Sequence, residues 1–170
     1  MVKRAALAVL ALSAVLGGLV SPVAAGAAGP HPHPFAATLH ETVIPPNVCV
    51  DPFVSCLIHE TGTISGSLTG PGTVTVVRNI VYDPIPGPGC YLTGTSSETL
   101  TIVARSGGEL YVTSTGTFCV VLGVAGTETG TLTIASGTGR FAGSSGTGSY
   151  TLTSDPLSAN GVAHWTGVVA

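Results

Sequence analysis

The chain has 170 residues, of which 8% are charged, 44% are hydrophobic and 24 are glycine. Since roughly a quarter of the residues in an average soluble domain are charged, this composition excludes a long helical bundle or coiled coil. The net charge of −3 excludes a nucleic-acid partner, because a phosphate-binding surface needs clustered Lys and Arg. A chain this apolar can bury enough surface to offset its ordering entropy, so disorder is not expected. A small β-domain remains.

The amino terminus has the pattern of a secretory signal peptide. Lys3 and Arg4 form a positive region, a mostly apolar run follows over 5–20, and the small-residue segments 23–25 and 25–27 both fit a cleavage site. The alternative, a membrane anchor, would need a longer apolar run. We therefore predict a secreted, extracellular protein that has no membrane contact once the signal is removed.

Without the signal, the chain carries no lysine, and its three arginines stand against eight acids, a net charge of −5. Its length fits one domain with one substantial core. Proline alternates with histidine at the start of this mature chain, which predicts an extended lead-in that is neither helix nor strand. We divide the sequence into a signal peptide over 1–27, a Pro/His-rich lead-in over 28–34 and a β-barrel domain over 35–170.

The four cysteines, Cys49, Cys56, Cys90 and Cys119, all lie in the mature chain. An even number of cysteines in an exported protein favours disulfides. Of the three pairings open to them, we favour Cys49–Cys56, which closes a short loop, with Cys90–Cys119 linking two strands. Zinc is the alternative, but no C-x-x-C spacing occurs and Cys56 with His59 is the only close Cys/His pair. We expect no bound metal.

The mature chain shows no helical periodicity. Instead, β-branched residues alternate with small ones, and Gly and Pro interrupt the pattern. This predicts eight strands, over residues 35–44, 57–69, 73–82, 91–105, 109–121, 124–136, 146–153 and 161–169. Most links are short, which implies antiparallel neighbours. We predict an eight-stranded antiparallel up-and-down β-barrel, because closure removes exposed edges; a two-sheet β-sandwich is the alternative that the strand count leaves open.

Alternate residues of a strand point to opposite faces, so position parity assigns each side chain to a face. In most predicted strands one face carries Thr and Ser and the other carries aliphatic residues. The strand over 73–82 shows the aliphatic face well, with Val74, Val76, Arg78, Ile80 and Tyr82. We assign the Thr/Ser faces to the exterior and the aliphatic faces to the lumen.

Five charged residues share the inward face: Glu41, Glu60, Glu98, Glu128 and Arg78. Charges are rarely buried without partners, because desolvating a carboxylate is costly. One interpretation is a lumen site of acids with raised pKa and one cation, suited to acid–base chemistry or to binding the polar group of an apolar ligand. The other places these residues near strand ends, where they reach solvent or pair with the arginine. With Tyr82 they are the candidate lumen-site residues, and no catalytic residue is assigned.

The link between the sixth and seventh predicted strands, residues 136–146, reads Ser-Gly-Thr-Gly-Arg-Phe-Ala-Gly-Ser-Ser-Gly. It resembles the G-G-T-G-x-F-x-G-A-x-G segment of the allene oxide cyclase and dirigent barrel families, including their bacterial relatives. The flanking runs over 130–134 and 148–152 continue that pattern, while Ser136 and Ser144 depart from the usual Gly and Ala. Glycines permit the tight turn, and we expect Phe141 to plug one end of the barrel.

The resemblance implies an eight-stranded antiparallel barrel with an apolar cavity, often oligomeric. Its enzymes cyclise reactive intermediates or steer their coupling, mainly by shaping the substrate, and need no metal or organic cofactor. The active-site motifs of those enzymes have no counterpart that aligns here, so only the fold and the turn carry over. The partners expected are a small apolar ligand and further copies of the chain in a homo-oligomer.

Three functions follow as hypotheses. The first and favoured one is a secreted barrel that binds a small apolar molecule in its lumen. The second is a cyclase- or dirigent-like enzyme that uses Arg78 with Glu60, Glu98 or Glu128, so whether the protein is an enzyme stays open. The third is a structural or surface barrel that is packed solid and assembles through its Thr-rich exterior. A lumen cavity that touches Arg78 would favour the first two over the third.

Overall fold

The computed structural model describes residues 31–51, 54–155 and 158–170; the signal peptide predicted over 1–27 lies outside them. The described residues form eight strands and one short 3₁₀ turn at Gly139–Phe141: β1 (His33–Asp51), β2 (Ser55–Gly66), β3 (Gly72–Tyr82), β4 (Leu92–Ala104), β5 (Glu109–Val121), β6 (Ala125–Gly137), β7 (Gly146–Asp155) and β8 (Asn160–Val169). This part of the chain holds no helix that is long and apolar enough to cross a membrane.

Each strand pairs antiparallel with the next one in the chain, and β8 pairs with β1, so the sheet closes on itself. The predicted eight-stranded antiparallel up-and-down barrel is confirmed, and the two-sheet sandwich is excluded. Seven of the strands lie within a few residues of their predicted bounds. We call one end of the barrel the mouth end: the odd-numbered strands end there and the even-numbered strands begin there. The opposite end is the closed end.

The first strand differs from its prediction at both ends. It was expected over 35–44 with a break at Pro45-Pro46, but it begins at His33, inside the predicted lead-in, and runs on to Asp51. The pairing with β2 shifts register between Ile44 and Val48 and then resumes. Proline cannot donate to the ladder and is tolerated in strands at such irregularities, so the two prolines interrupt the register without ending the strand.

The closed half of the lumen is filled by apolar side chains, among them Leu39, Ile64, Val74, Ile102, Leu110, Ile134 and Trp165. Phe141 of the 3₁₀ turn is buried with them beside Gly108 and Gly137, as expected for a plug at this end. The guanidinium of Arg140 lies 4.4 Å from the centre of the Phe141 ring and donates to the Thr69 carbonyl at 2.5 Å. These contacts hold the turn over the end of the barrel.

Two inward glycines leave room for Tyr150. A Cβ atom at Gly130 would lie 2.2 Å from the Thr115 carbonyl oxygen and 2.6 Å from the Tyr150 ring, and one at Gly116 would lie 2.3 Å from the Tyr150 hydroxyl. No side chain fits in such space. These two glycines therefore allow the Tyr150 side chain to lie across the inner faces of β6 and β5.

Both predicted disulfides are present. Cys49–Cys56 joins β1 to β2 across a sequence separation of 7 residues, and Cys90–Cys119 joins the segment before β4 to β5 across 29 residues. Both lie at the mouth end of the barrel. They restrain the end of the barrel opposite the 3₁₀ turn.

The two disulfides should stabilise the barrel unequally. In the chain-entropy description a longer closed loop restrains the unfolded chain more, so the paired variant Cys90→Ser/Cys119→Ser should lose about 3–4 kcal/mol and Cys49→Ser/Cys56→Ser about 2 kcal/mol. Urea unfolding of the two variants beside the unaltered protein measures both losses. An equal loss, or a larger loss for the short loop, would contradict the expectation.

Candidate functional site

One arginine and four glutamates meet in the middle of the lumen, and we call them the charged cluster: Arg78, Glu41, Glu60, Glu98 and Glu128. They come from β1, β2, β3, β4 and β6, and each is only 4–7% exposed to solvent. Strand parity predicted this inward placement. The side chains do not reach solvent at strand ends, but all four glutamates pair with Arg78, as the alternative interpretation also allowed.

Arg78 lies at the centre of the charged cluster. Its Nη2 is 2.7 Å from Oε1 of Glu98 and 3.3 Å from Oε2 of both Glu41 and Glu60, while its Nη1 is 3.4 Å from Oε2 of Glu128. The register explains the shortest contact, because Arg78 and Glu98 stand directly opposite each other on β3 and β4. A single guanidinium is thus shared among four carboxyl groups.

Three hydroxyl groups complete the cluster. Ser114 donates to Glu98 Oε2 at 2.5 Å, Ser96 donates to Glu128 Oε1 at 2.5 Å, and the Tyr150 hydroxyl also donates to Glu128 Oε1. These three hydroxyl groups were not predicted as site residues. Parity is the signal that indicates them, since Ser96 shares its strand face with Glu98, whereas serine as a residue type is typical of the exterior faces.

Hydrogen bonding in the cluster is incomplete. Arg78 Nε, Glu60 Oε2 and Glu98 Oε1 are buried without a hydrogen-bond partner. The two glutamate oxygens lie within ion-pair distance of Arg78 Nη2, but outside the direction of its N–H bonds. Arginine has five N–H donors in a fixed planar fork, and this geometry cannot satisfy four carboxyl groups at once. One buried donor and two buried acceptors in the lumen therefore have no hydrogen-bond partner.

Burial dominates the protonation of the acids. It raises the pKa of Glu41 to about 8 against the opposing charge of Arg78, and it raises the pKa of Glu60 and Glu98 in the same direction. For Arg78 burial acts to lower the pKa, but the surrounding carboxyl groups together raise it. Burial and the hydrogen bond to Glu128 raise the pKa of Tyr150. At pH 7 the cluster thus holds a permanent cation and at least one carboxyl, that of Glu41, mainly in its protonated form.

A cavity of about 120 Å³ opens from the charged cluster toward the mouth end. Arg78 and Glu128 lie at its inner end, and its apolar walls are Ile80, Tyr82, Leu92, Phe118, Val120 and Leu152. The Tyr82 and Phe118 rings meet edge to face with their centres 5.7 Å apart. Of the six predicted site residues, the cavity brings together three, namely Arg78, Glu128 and Tyr82.

The other three predicted residues, Glu41, Glu60 and Glu98, do not line this cavity; they contact Arg78 from the remaining sides. The wall residues Phe118, Leu152, Leu92 and Val120 were not predicted as site residues. Their inward parity was visible, but parity does not distinguish a wall residue of a cavity from an ordinary core residue. Position along the barrel axis decides that, and it depends on the stagger of the strands.

The outer surface has larger depressions, but their linings are less suited to binding a ligand. One of about 460 Å³ lies over β4, β5 and β6 and is lined by small side chains such as Thr95, Thr115 and Thr129. It has no charged or aromatic group among its lining residues. Ligand sites combine apolar or aromatic walls with a few convergent polar groups, so the lumen cavity is the candidate site.

Within the described residues, no group of three or more His, Cys, Asp and Glu side chains is arranged to hold a metal ion. In the charged cluster, the guanidinium of Arg78 stands between the carboxyl groups, where a cation would otherwise bind. Comparisons of the chain with protein-family models, with curated proteins and with solved structures found no match. The resemblance to the allene oxide cyclase and dirigent families stays a prediction that rests on the segment 136–146 and the barrel.

The buried acids should make the protein less stable as pH rises. Because the pKa of Glu41 is raised from 4.5 to about 8 in the folded state, its protonated form stabilises the fold below pH 4.5, and this contribution is lost as pH rises toward 8. The free energy of unfolding should fall by about 1 kcal/mol per pH unit for each such carboxyl in this range. Urea unfolding between pH 5 and pH 8 measures the slope.

Glu41→Gln, which mimics the protonated carboxyl, should flatten that slope, whereas Asp83→Asn, at an exposed acid, should leave it unchanged. A slope that is zero or positive in the unaltered protein, or one that Glu41→Gln does not reduce, would show that Glu41 is not held protonated by burial.

Replacing Arg78 by Met should destabilise the barrel by about 3–5 kcal/mol at pH 8, because it leaves buried carboxylates without their cation. The loss should be smaller at pH 5, where the carboxyl groups take up protons. Arg105→Met, at an exposed arginine, is the matched control and should change stability by no more than about 0.5 kcal/mol. Equal losses for Arg78→Met at the two pH values would contradict the assigned role of the cluster.

Proposed function

We propose that the protein is a secreted barrel that binds a small, mostly apolar molecule, with one uncharged hydrogen-bonding group, in the lumen cavity. The observation that carries the proposal is a cavity whose walls are aliphatic and aromatic and whose inner end is formed by Arg78 and Glu128. The two disulfides fit the oxidising environment outside the cell, which supports secretion.

The size of the cavity limits the part of a ligand that it can enclose. Its volume is about 120 Å³, and an apolar cavity of about 150 Å³ in another protein binds benzene. One six-membered ring is therefore the largest rigid group that we expect inside. The edge-to-face pair of Tyr82 and Phe118 offers an aromatic ring a further favourable contact.

The charged cluster favours an uncharged polar group on the ligand. A carboxylate would add a fifth acid beside Glu128 and the three other glutamates, and an ammonium group would compete with Arg78 for the same oxygens. A hydroxyl or carbonyl group avoids both costs. Arg78 also carries a buried Nε donor without a partner, so the inner end of the cavity has hydrogen-bonding capacity to spare.

Catalysis is the second candidate, and a specific contact favours it. Glu128 lies at the cavity and accepts hydrogen bonds from Ser96 and Tyr150, which would orient it for proton transfer to a bound reactive intermediate. A cyclase- or dirigent-like reaction would use the same cavity. The structural-barrel hypothesis is favoured by the filled closed half of the lumen, but it offers no reason for a cavity that ends on Arg78.

The proposal predicts that p-cresol binds more tightly than toluene, since the two share a ring and a methyl group and differ in one hydroxyl. Loss of the hydrogen bond should weaken binding about tenfold. Val120→Trp, on the cavity wall, should abolish p-cresol binding by filling the cavity, and Val121→Trp, on the opposite strand face, should leave it unchanged. Isothermal titration calorimetry measures the binding of both compounds to the unaltered protein and of p-cresol to the two variants.

Failure of both compounds to bind would count against the lumen site, as would equal weakening by the two tryptophan variants. Covalent conversion of a bound probe would favour the catalytic candidate.

A further inference from the structure

We infer that the ligand is longer than the cavity and carries an apolar chain that lies across an exposed apolar rim around the mouth of the barrel. The inference rests on the proposed function and names the shape of the molecule that the same site takes. Its basis is the distribution of exposed hydrophobic residues, the small volume of the cavity and the continuity between the two surfaces.

The apolar rim consists of Val48, Val50, Val54, Ile85, Tyr91, Leu122 and Val124. They are the most exposed large hydrophobic residues of the described chain, from 49% for Tyr91 to 85% for Val50. All lie on the segments that surround the mouth end: the end of β1 and the links between β1 and β2, before β4, and between β5 and β6. Exposed apolar residues concentrated at one end of a domain are typical of an interaction site.

The rim continues directly into the walls of the cavity. Leu122 and Val124 form the link between Val120 and Gly126, which both line the cavity. The Tyr91 backbone N–H donates to the Val120 carbonyl at 2.7 Å. On the other side, the Tyr82 backbone N–H donates to the carbonyl of Val54 at 3.0 Å. A chain that leaves the cavity at its mouth therefore meets apolar side chains on its way out.

The volume of the cavity makes such an exit necessary for most ligands. Sites that enclose a small molecule usually measure about 300–1,000 Å³, and this cavity measures about 120 Å³. A molecule of ordinary metabolite size can therefore place only its ring or head group inside. The remainder lies outside, and the surface next to the opening is the apolar rim.

The charges near the mouth do not favour an anionic partner, since the charged residues on the segments that form the rim are Asp51 and Asp83. No Arg or Lys lies on the described segments that form the rim, so an anionic surface gains nothing there. Arg105 follows β4 and Arg140 lies in the 3₁₀ turn, both at the closed end. A flexible hydrocarbon chain needs no counter-charge, and it gains free energy with each methylene that it buries.

A series of 4-alkylphenols from methyl to hexyl tests the inference by isothermal titration calorimetry. The phenol ring of each member is the same, so only the part beyond the cavity changes. We expect the dissociation constant to fall by up to about fourfold for each added methylene that the rim covers. A cavity that acted alone would instead bind the longer members no better than p-cresol, or less well.

Substitutions on the rim show where the chain lies. The double variant Leu122→Ser/Val124→Ser should remove most of the gain for 4-hexylphenol while leaving p-cresol binding unchanged. Val103→Ser/Val168→Ser, at exposed apolar residues of the closed end, is the matched control and should keep the full gain. All four positions are exposed, and thermal melts verify that each variant is folded. If the double variant Leu122→Ser/Val124→Ser does not fold, the single variant Val124→Ser replaces it and should lose part of the gain.

The outcomes separate the two proposals. If p-cresol binds but 4-hexylphenol binds no more tightly, the inference is wrong and the proposed function stands. If no member binds, the proposed function itself fails. The inference is overturned if the chain-length gain survives the rim substitutions while the same substitutions abolish another association. Loss of a dimer in sedimentation would show that a second copy covers the rim, and loss of flotation with phosphatidylcholine vesicles would show that lipid covers it.

Discussion

A single buried guanidinium organises the interior of this barrel. Arg78 stands in the buried interior of the barrel, where an unpaired charge would be prohibitive. Four carboxyl groups surround it, more than one cation can neutralise, and burial keeps the Glu41 carboxyl mainly protonated near neutral pH. The cluster therefore combines ion pairs with at least one neutral acid, that of Glu41. Its electrostatic balance depends on protons, which links the stability of the fold to pH through carboxyl groups that contact Arg78 beside the cavity.

The position of the cluster divides the lumen into two parts with different roles. On one side, apolar side chains and the 3₁₀ turn with Phe141 fill and cover the barrel; this half supplies the hydrophobic burial that holds the closed sheet together. On the other side, the lumen is left partly open, with Tyr82 and Phe118 as walls, and both disulfides brace the surrounding strands. Because the closed half of the lumen supplies most of the hydrophobic burial, the mouth half can contain a cavity. This division suits a binding protein.

Much of the architecture was predictable, because strand alternation is a strong local signal. It predicted the eight strands, the barrel and the inward placement of Arg78 and its four glutamates. The passage of β1 through Pro45-Pro46 was not predictable, since proline usually ends a strand and only the resumed pairing with β2 shows otherwise. The sequence also could not predict the contacts within the cluster or the wall residues of the cavity. They depend on the stagger between strands, which decides whether two inward residues of the same parity lie at the same height in the barrel.

The central claim is that the lumen cavity beside Arg78 is a ligand site. A crystal structure of the protein with p-cresol tests this most directly. We predict that the ring lies between Leu152 and the pair Tyr82 and Phe118, with its hydroxyl within hydrogen-bond distance of Glu128 or Arg78. An empty lumen in crystals that hold p-cresol on the Thr-rich outer surface, or a lumen closed by movement of Tyr82 and Phe118 onto Arg78, would contradict the claim.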